Sequence, residues 1–241
     1  MPLATIWAIE SDFDRDVSKC LAHKLAIHLG IELDIRVVGK KAFSDIAKRN
    51  KINPNALEEA VRNYLIESDC LIFVLDSDSP IRLQHRRQDE NSAISQIERV
   101  REKFEGQVHL ALAVHELEAW LLVDCLGICC YFAGVDNSIK SRQRQGRKFR
   151  GFLKNVPGNT ELIVEAEVGG KGPKEYLIEL SEKILKILDP RIRPRILNRK
   201  RYREALSPAL AEYVEVNTET LRRNTSLQRL GQFLAQCGAS R

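Results

Sequence analysis

The sequence predicts an α/β protein in which a parallel β-sheet is flanked by helices and followed by a helical C-terminal region. Over the first 134 residues, short apolar or β-branched segments alternate with helical segments, a pattern typical of one parallel sheet. From about residue 173 onward, helical periodicity returns without strands between the helices. The 241 residues are 44% hydrophobic and 29% charged, which is the balance of an ordinary globular chain.

Four segments are expected to form the strands of the sheet. Leu3–Ile9 is a short apolar run that ends in acidic residues, as a buried parallel strand does. Ile31–Val38 is rich in β-branched residues. Cys70–Pro80 is apolar until it stops at acidic residues and a proline, and Gln107–Val114 is the fourth apolar run.

Helices are expected between these strands and in the C-terminal region. In the first of them apolar residues stand four apart on one face, and Gly30 ends it. The expected helices are Val17–Leu29, Asn53–Ser68, Asp89–Phe104, His115–Phe132 with a break near Gly127, Lys174–Leu188, Lys200–Leu206 and Thr220–Gln236. One short strand is expected near Leu162–Val164.

The chain is therefore divided into an α/β core (1–134), a basic, glycine-containing linker (135–172) and a helical C-terminal extension (173–241). No apolar run reaches the roughly 18 residues that a membrane-spanning helix needs. The N-terminal segment lacks the basic region of a signal peptide. We therefore expect a cytoplasmic protein that makes no membrane contact, with its six cysteines reduced.

The charge of the chain is unevenly distributed along its length. Residues 1–139 carry 16 basic and 22 acidic side chains, whereas residues 140–241 carry 22 basic and 11 acidic ones. Two runs, Lys140–Lys154 and Arg191–Arg203, contain seven basic residues each and no acid. Such runs are often solvated surface, but here they favour a nucleic acid as partner, DNA or RNA. The candidate substrate-binding residues of the first run are Arg144, Arg147 and Lys148.

Acidic side chains follow three of the predicted strands. Glu10 follows the first strand, Asp76 and Asp78 end the third, and Glu116 and Glu118 follow the fourth. In an open parallel sheet, ligands bind at the carboxyl ends of the strands. Carboxylates gathered there repel one another, and a divalent cation with hard oxygen ligands relieves that repulsion. The pattern predicts a site for Mg²⁺ or Mn²⁺ that could clamp a phosphodiester and activate water.

Basic residues close to these acids are further candidates for substrate binding. Arg82, Arg86 and Arg87 follow the third strand, where they could contact phosphate or could simply lie on the surface. Lys171 and Lys174 belong to a glycine-rich segment ahead of a predicted helix, where a phosphate could bind.

A glutamate after the first strand, followed about 60 residues later by a strand ending in Asp-x-Asp, resembles the Toprim fold of topoisomerases, bacterial primases and overcoming-lysogenization-type nucleases. The segments "AVHELEAWLLVD" (Ala113–Asp124), "GPKEYL" (Gly172–Leu177) and the tail Arg201–Leu234 are similar to an uncharacterised Toprim-like family whose members are often encoded near ATPases in defence-type loci. The first motif departs from the family pattern, since Ser11 stands where Toprim proteins usually have glycine.

The resemblance implies roles for the acidic residues. Glu10 matches the general acid or base, Asp76 and Asp78 match the metal ligands, and Glu116 or Glu118 would assist them. The expected function is a Mg²⁺-dependent nuclease or related phosphodiester-processing enzyme, in anti-phage defence and with an ATPase partner, its oligomeric state left open. The alternative is a non-catalytic Toprim-like module that binds nucleic acid or docks on an ATPase complex.

Overall fold

The computed structural model describes residues 1–50, 53, 55–77, 83–113, 116–156 and 172–239. In these residues it has the strands β1 (Leu3–Ala8), β2 (Asp34–Val38), β3 (Cys70–Asp76) and β4 (Val108–Ala113). The strands form one parallel sheet in the order β2-β1-β3-β4. The fold class predicted from the sequence is confirmed, and the four strands are the four expected ones.

Helices account for most of the remaining described residues. They are α1 (Asp12–Leu29), α2 (Lys40–Asn50), α3 (Ala56–Glu67), α4 (Leu83–Gln88), α5 (Ala93–Lys103), α6 (Glu118–Leu121), α7 (Cys125–Phe132), α8 (Ile139–Lys148), α9 (Arg150–Leu153), α10 (Pro173–Leu188), α11 (Pro194–Lys200), α12 (Ser207–Ala211), α13 (Thr218–Leu221) and α14 (Thr225–Ala239). A short 3₁₀ helix covers Glu204–Leu206. None of the helices in the described ranges has the length and apolar character needed to cross a membrane.

The chain forms two compact units whose boundaries differ from those expected. Unit 1 consists of Met1–Val114 together with Ser226–Arg241, and unit 2 of His115–Thr225. The segment expected to be a linker, 135–172, contains helices α8 and α9 in its described part. The strand expected near Leu162–Val164 lies outside the described residues.

The core of unit 1 packs against both faces of the sheet. One face carries an aromatic cluster in which Trp7 of β1 stacks on Phe73 of β3 at 5.4 Å and meets Phe43 of α2 edge-on at 5.8 Å. Helix α1 packs on β1 and β2 and buries an apolar stripe that includes Val17 and Leu21. Burial on both faces explains why β1 and β3 read as nearly continuous apolar runs.

In unit 2, the break in the expected helix His115–Phe132 does not lie at Gly127. The break lies at Asp124, whose side chain accepts a hydrogen bond from the Gly127 amide and so caps α7. Gly127 lies inside that helix, at a position where a side chain would not fit because the Cα lies close to a neighbouring backbone. A Cβ at this position would be 2.2 Å from the carbonyl oxygen of Tyr213.

The expectation that all six cysteines are reduced is wrong for two of them. Cys70 at the start of β3 and Cys237 on α14 form a disulfide with a Cα–Cα distance of 5.6 Å. The cysteines outside the disulfide are Cys20, which is half-buried, and the buried Cys125, Cys129 and Cys130.

Candidate functional site

The candidate site of unit 1 lies where the strand order of the sheet reverses. The chain passes from β1 outward to β2 and later returns to place β3 on the other side of β1. Open α/β sheets bind ligands at the carboxyl ends of their strands at such a switch point. Glu10 follows β1 and Asp76 ends β3, so both carboxylates stand at this point.

Strands β1 and β3 are paired in register up to Ala8 and Val74. Ala8 pairs with Val74, and the Ile9 amide donates to the Val74 carbonyl at 3.2 Å. Glu10 lies two residues after Ala8, and Asp76 lies two residues after Val74. Both residues therefore lie near the carboxyl ends of adjacent parallel strands, and their role in one site stays a prediction. Asp78 lies outside the described residues.

Arg86 of α4 is a basic residue at this edge. Its Nη1 approaches the carbonyl oxygens of Asp76 at 3.4 Å and Ser77 at 3.3 Å, and its Nη2 is 4.0 Å from Glu10 Oε1. The Arg86 side chain is 13% exposed and that of Glu10 41%. A largely buried guanidinium beside a solvent-accessible carboxylate is a suitable contact for a phosphate oxygen.

The N-terminus of α1 lies at the same edge, directly after Glu10. Ser11 caps this helix by accepting a hydrogen bond from the Asp14 amide. Asp12, in the first turn, approaches the end of β2, where a Cβ on Gly39 would lie 2.8 Å from its Oδ1. Gly39 therefore leaves room for the Asp12 carboxylate. In the sequence, Asp12 is one of the acidic residues that follow the first strand, and its spacing alone does not assign it a role.

One carboxylate at the switch point, that of Asp76 at the end of β3, could bind Mg²⁺. In proteins Mg²⁺ is usually held by one or two carboxylates, waters and substrate phosphates. In the described part of the chain there is no group of three or more His, Cys, Asp or Glu residues arranged to hold a metal ion.

Glu116 and Glu118 belong to a polar cluster within unit 2. Glu118 is 7% exposed, and its Oε1 accepts a hydrogen bond of 2.7 Å from the Tyr202 hydroxyl. Tyr202 also lies 2.5 Å from the Ser207 hydroxyl. Glu116 accepts a hydrogen bond of 3.0 Å from the Lys174 amide at the start of α10. Both carboxylates therefore have protein donors within unit 2.

The same cluster perturbs the protonation of its members. Burial, followed by the nearby Glu118 charge, raises the pKa of Glu116 from 4.5 to about 7. Burial and Glu118 also raise the pKa of Tyr202 above its ordinary value. The Lys174 ammonium lies 3.2 Å from Glu204. Three separate sequence segments with motif character thus meet here, around Glu118, Lys174 and Tyr202.

A buried ion pair also supports unit 2. Asp124 is 4% exposed and accepts hydrogen bonds from Arg142 Nη2 at 2.8 Å and from the Glu215 amide at 2.9 Å. Arg142 also pairs with the Glu215 carboxylate at 2.9 Å. Arg142 was counted in a basic surface run from the sequence, but its partners lie 18 and 73 residues away along the chain and no local pattern indicates them.

The remaining candidate residues take varied positions. Arg87 pairs with Glu98 at 2.9 Å on the surface of unit 1. Arg144, Arg147 and Lys148 are exposed on α8, and Lys148 lies over the ring of Phe149 at 5.9 Å. Arg144 and Arg147 make no ion pair with any residue in the described ranges. Arg82 and Lys171 lie outside the described residues.

A scan against protein-family models finds no match for this chain, and searches of curated proteins and of solved structures find none either.

Proposed function

We propose that this chain is a Mg²⁺-dependent phosphodiester-processing enzyme, a nuclease of the Toprim-like kind, whose reaction takes place at the switch point of unit 1. The observation that carries the proposal is the presence of Glu10, Asp76 and Arg86 at the adjacent ends of β1 and β3. Acid, base and phosphate-binding groups at a switch point are the arrangement expected of a phosphoryl-transfer site.

Each residue has a chemical task in this proposal. Glu10, accessible to solvent, exchanges a proton with the attacking water or the leaving oxygen. Arg86 donates to the non-bridging phosphate oxygens and stabilises the negative charge that grows on them. Its contacts with the backbone carbonyls of Asp76 and Ser77 hold the guanidinium in position for this.

Asp76 would hold the metal ion. When bound, Mg²⁺ would polarise a phosphoryl oxygen and lower the pKa of a coordinated water. Mn²⁺ has the same preference for oxygen ligands and should substitute for it.

The exposed basic side chains of α8 support nucleic acid as the substrate. Arg144 and Arg147 stand three residues apart on this helix and are exposed. Contacts of such side chains with phosphates position a nucleic acid without reading its sequence. We therefore expect weak sequence preference and strong dependence of binding on salt.

The experiment is cleavage of labelled single- and double-stranded DNA and RNA with Mg²⁺, Mn²⁺ or EDTA. Wild type is compared with Asp76→Asn, with Glu10→Gln and with the control Asp45→Asn, which changes an exposed acid of α2 paired with Lys48. Cleavage that needs metal, survives in the control and is lost in both site variants supports the proposal. Equal cleavage by wild type and both site variants would refute it.

A non-catalytic role is the second candidate, favoured by one observation. The Arg86 guanidinium already lies beside Glu10 at 4.0 Å and supplies positive charge to the edge without a metal ion. A module of this kind would bind nucleic acid or dock on an ATPase complex. It predicts binding that persists in EDTA and in Asp76→Asn, with no cleavage under any metal condition.

A further inference from the structure

We propose that the Cys70–Cys237 disulfide is a reversible redox latch that holds helix α14 on the sheet of unit 1. Cys70 is the first residue of β3, and Cys237 lies on α14. Their Cα atoms are 5.6 Å apart, a separation typical of disulfides, and both side chains are fully buried.

Helix α14 packs across several elements of unit 1. Its residues Leu227, Leu230 and Leu234 are completely buried. Gly231 lies against α1, since a Cβ at this position would be 3.1 Å from the Leu29 side chain. Phe233 stacks on the imidazole of His109, at the start of β4, with 4.7 Å between the ring centroids. The helix is thus an integral layer of the unit.

Helix α14 is far in the sequence from the rest of unit 1. Unit 1 is built from two pieces, Met1–Val114 and Ser226–Arg241, and all of unit 2 lies between them in the sequence. The disulfide joins the two pieces across 167 residues. A link that closes so long a loop removes much conformational freedom from the undocked chain. In the reduced protein, only noncovalent contacts hold α14 on the sheet.

The buried cysteines of unit 2 are poor partners in thiol exchange. Burial raises the pKa of the Cys125 thiol to about 12, and it also raises the pKa of Cys130. Their thiolates are therefore disfavoured, which makes them poor partners in exchange reactions. Helix α14 exposes Gln232 and Gln236 on its outer face. The proposal requires that this surface helix undock at a lower free-energy cost than that of opening the sheet.

The reductant in the proposed reaction is a dithiol. One of its thiolates attacks a sulfur of the disulfide, the S–S bond breaks, and the other protein sulfur leaves as a thiolate that takes up a proton. The second thiol of the dithiol then attacks the mixed disulfide and releases the remaining cysteine. Two electrons pass to the protein, and the dithiol becomes a disulfide.

His109 gives a direct signal of whether α14 is docked. It lines a groove of about 890 Å³ between α14, the end of α5 and the start of β4. The imidazole is 7% exposed, and its Nε2 has no hydrogen-bond partner among the described residues. Burial, with a smaller effect of Arg101, lowers the pKa of His109. Undocking of α14 should expose the ring and return this pKa toward its ordinary value.

The test uses the full chain purified without reductant. Non-reducing peptide mapping should recover the peptide that links Cys70 to Cys237. Amide hydrogen exchange is then measured with and without dithiothreitol. Reduction should speed exchange in α14 by about tenfold or more while the central strands stay protected. It should also lower the melting midpoint by about 5–10 °C.

Two variants distinguish the effect of breaking the disulfide from a general effect of the reductant on the protein. The double variant Cys70→Ala/Cys237→Ala should behave without reductant as the reduced wild type does, including the raised His109 pKa in an NMR titration. Cys20→Ser, which changes a half-buried cysteine of α1 outside the disulfide, should keep the response of the wild type. If the double variant does not fold, reduction of the wild type still decides the question. Six free thiols after treatment with oxidised glutathione, or α14 exchange that reduction leaves unchanged, would overturn the proposal.

Discussion

Removal of a single hydroxyl should show whether Glu118 is a structural carboxylate. Tyr202 is 1% exposed, and its hydroxyl donates to Glu118 Oε1 at 2.7 Å and lies 2.5 Å from the Ser207 hydroxyl. Tyr202→Phe removes both contacts with almost no change in the shape of the core. A hydrogen bond to a charged group contributes about 1.5–3 kcal/mol, and a buried carboxylate that loses its donor bears the desolvation cost.

We therefore expect Tyr202→Phe to lower the free energy of unfolding by about 3 kcal/mol. For a unit of the size of unit 2, this corresponds to a fall in melting midpoint of roughly 10 °C. The assay is urea and thermal unfolding followed by circular dichroism. The matched control is Tyr131→Phe in the same unit, because the Tyr131 hydroxyl makes no hydrogen bond within the described ranges. Its cost should stay within about 0.5 kcal/mol.

Equal stability of the two phenylalanine variants would refute this reasoning. A second variant, Glu118→Gln, keeps an acceptor oxygen for Tyr202 and removes the charge. If Glu118 has a structural role, this variant should cleave nucleic acid as the wild type does under the proposed function. Loss of metal-dependent cleavage in Glu118→Gln, with its stability intact, would instead return Glu118 to the metal site.

Three further predictions concern unit 2. Asp124→Asn should cost about 3 kcal/mol in urea unfolding, because Arg142 then loses its buried carboxylate. Gly127→Ala should abolish or severely reduce folding, since the new Cβ would meet a backbone carbonyl oxygen at 2.2 Å, whereas Gly146→Ala, with its nearest contact at 3.8 Å, should be tolerated. Glu116 binds its proton more tightly in the folded state, so its contribution to stability is complete below pH 4.5 and is lost as the pH rises through about 7. Glu116→Gln should flatten that dependence in unfolding measured between pH 4.5 and 8.

The sequence predicted the sheet well because each strand is a local apolar run. The helices were harder where polar residues dominate. Helix α2 was not predicted because its apolar face depends on few residues, of which Phe43 is buried in the aromatic cluster. A single helix is expected over Asp89–Phe104. Helix α5 instead begins at Ala93, because Ser92 caps it by accepting a hydrogen bond from the Ser95 amide.

The switch-point acids were predictable for the same local reason. Glu10 comes soon after one apolar strand and Asp76 ends another, and the strand order makes these two strands neighbours. The same reasoning fails to anticipate the surroundings of Glu118, whose donor Tyr202 is 84 residues away in the sequence. The division into units was also hidden, because it depends on the return of α14 to unit 1. Contacts between residues far apart in the sequence leave no periodic signal in it.

The redox latch and the candidate site lie at opposite ends of one strand, which allows the two proposals to be separated. Strand β3 begins at Cys70 and ends at Asp76, and at about 3.3 Å per residue the two Cα atoms are about 20 Å apart. Between them, β3 is paired on both sides, with β1 and with β4, so undocking of α14 should leave the position of Asp76 unchanged. Well below its melting midpoint, the reduced protein should therefore cleave at the rate of the oxidised protein. Cleavage lost on reduction but retained in Cys70→Ala/Cys237→Ala would point to an effect of the reductant on the metal and not on the latch. Loss in both would mean that α14 supports the site through the sheet.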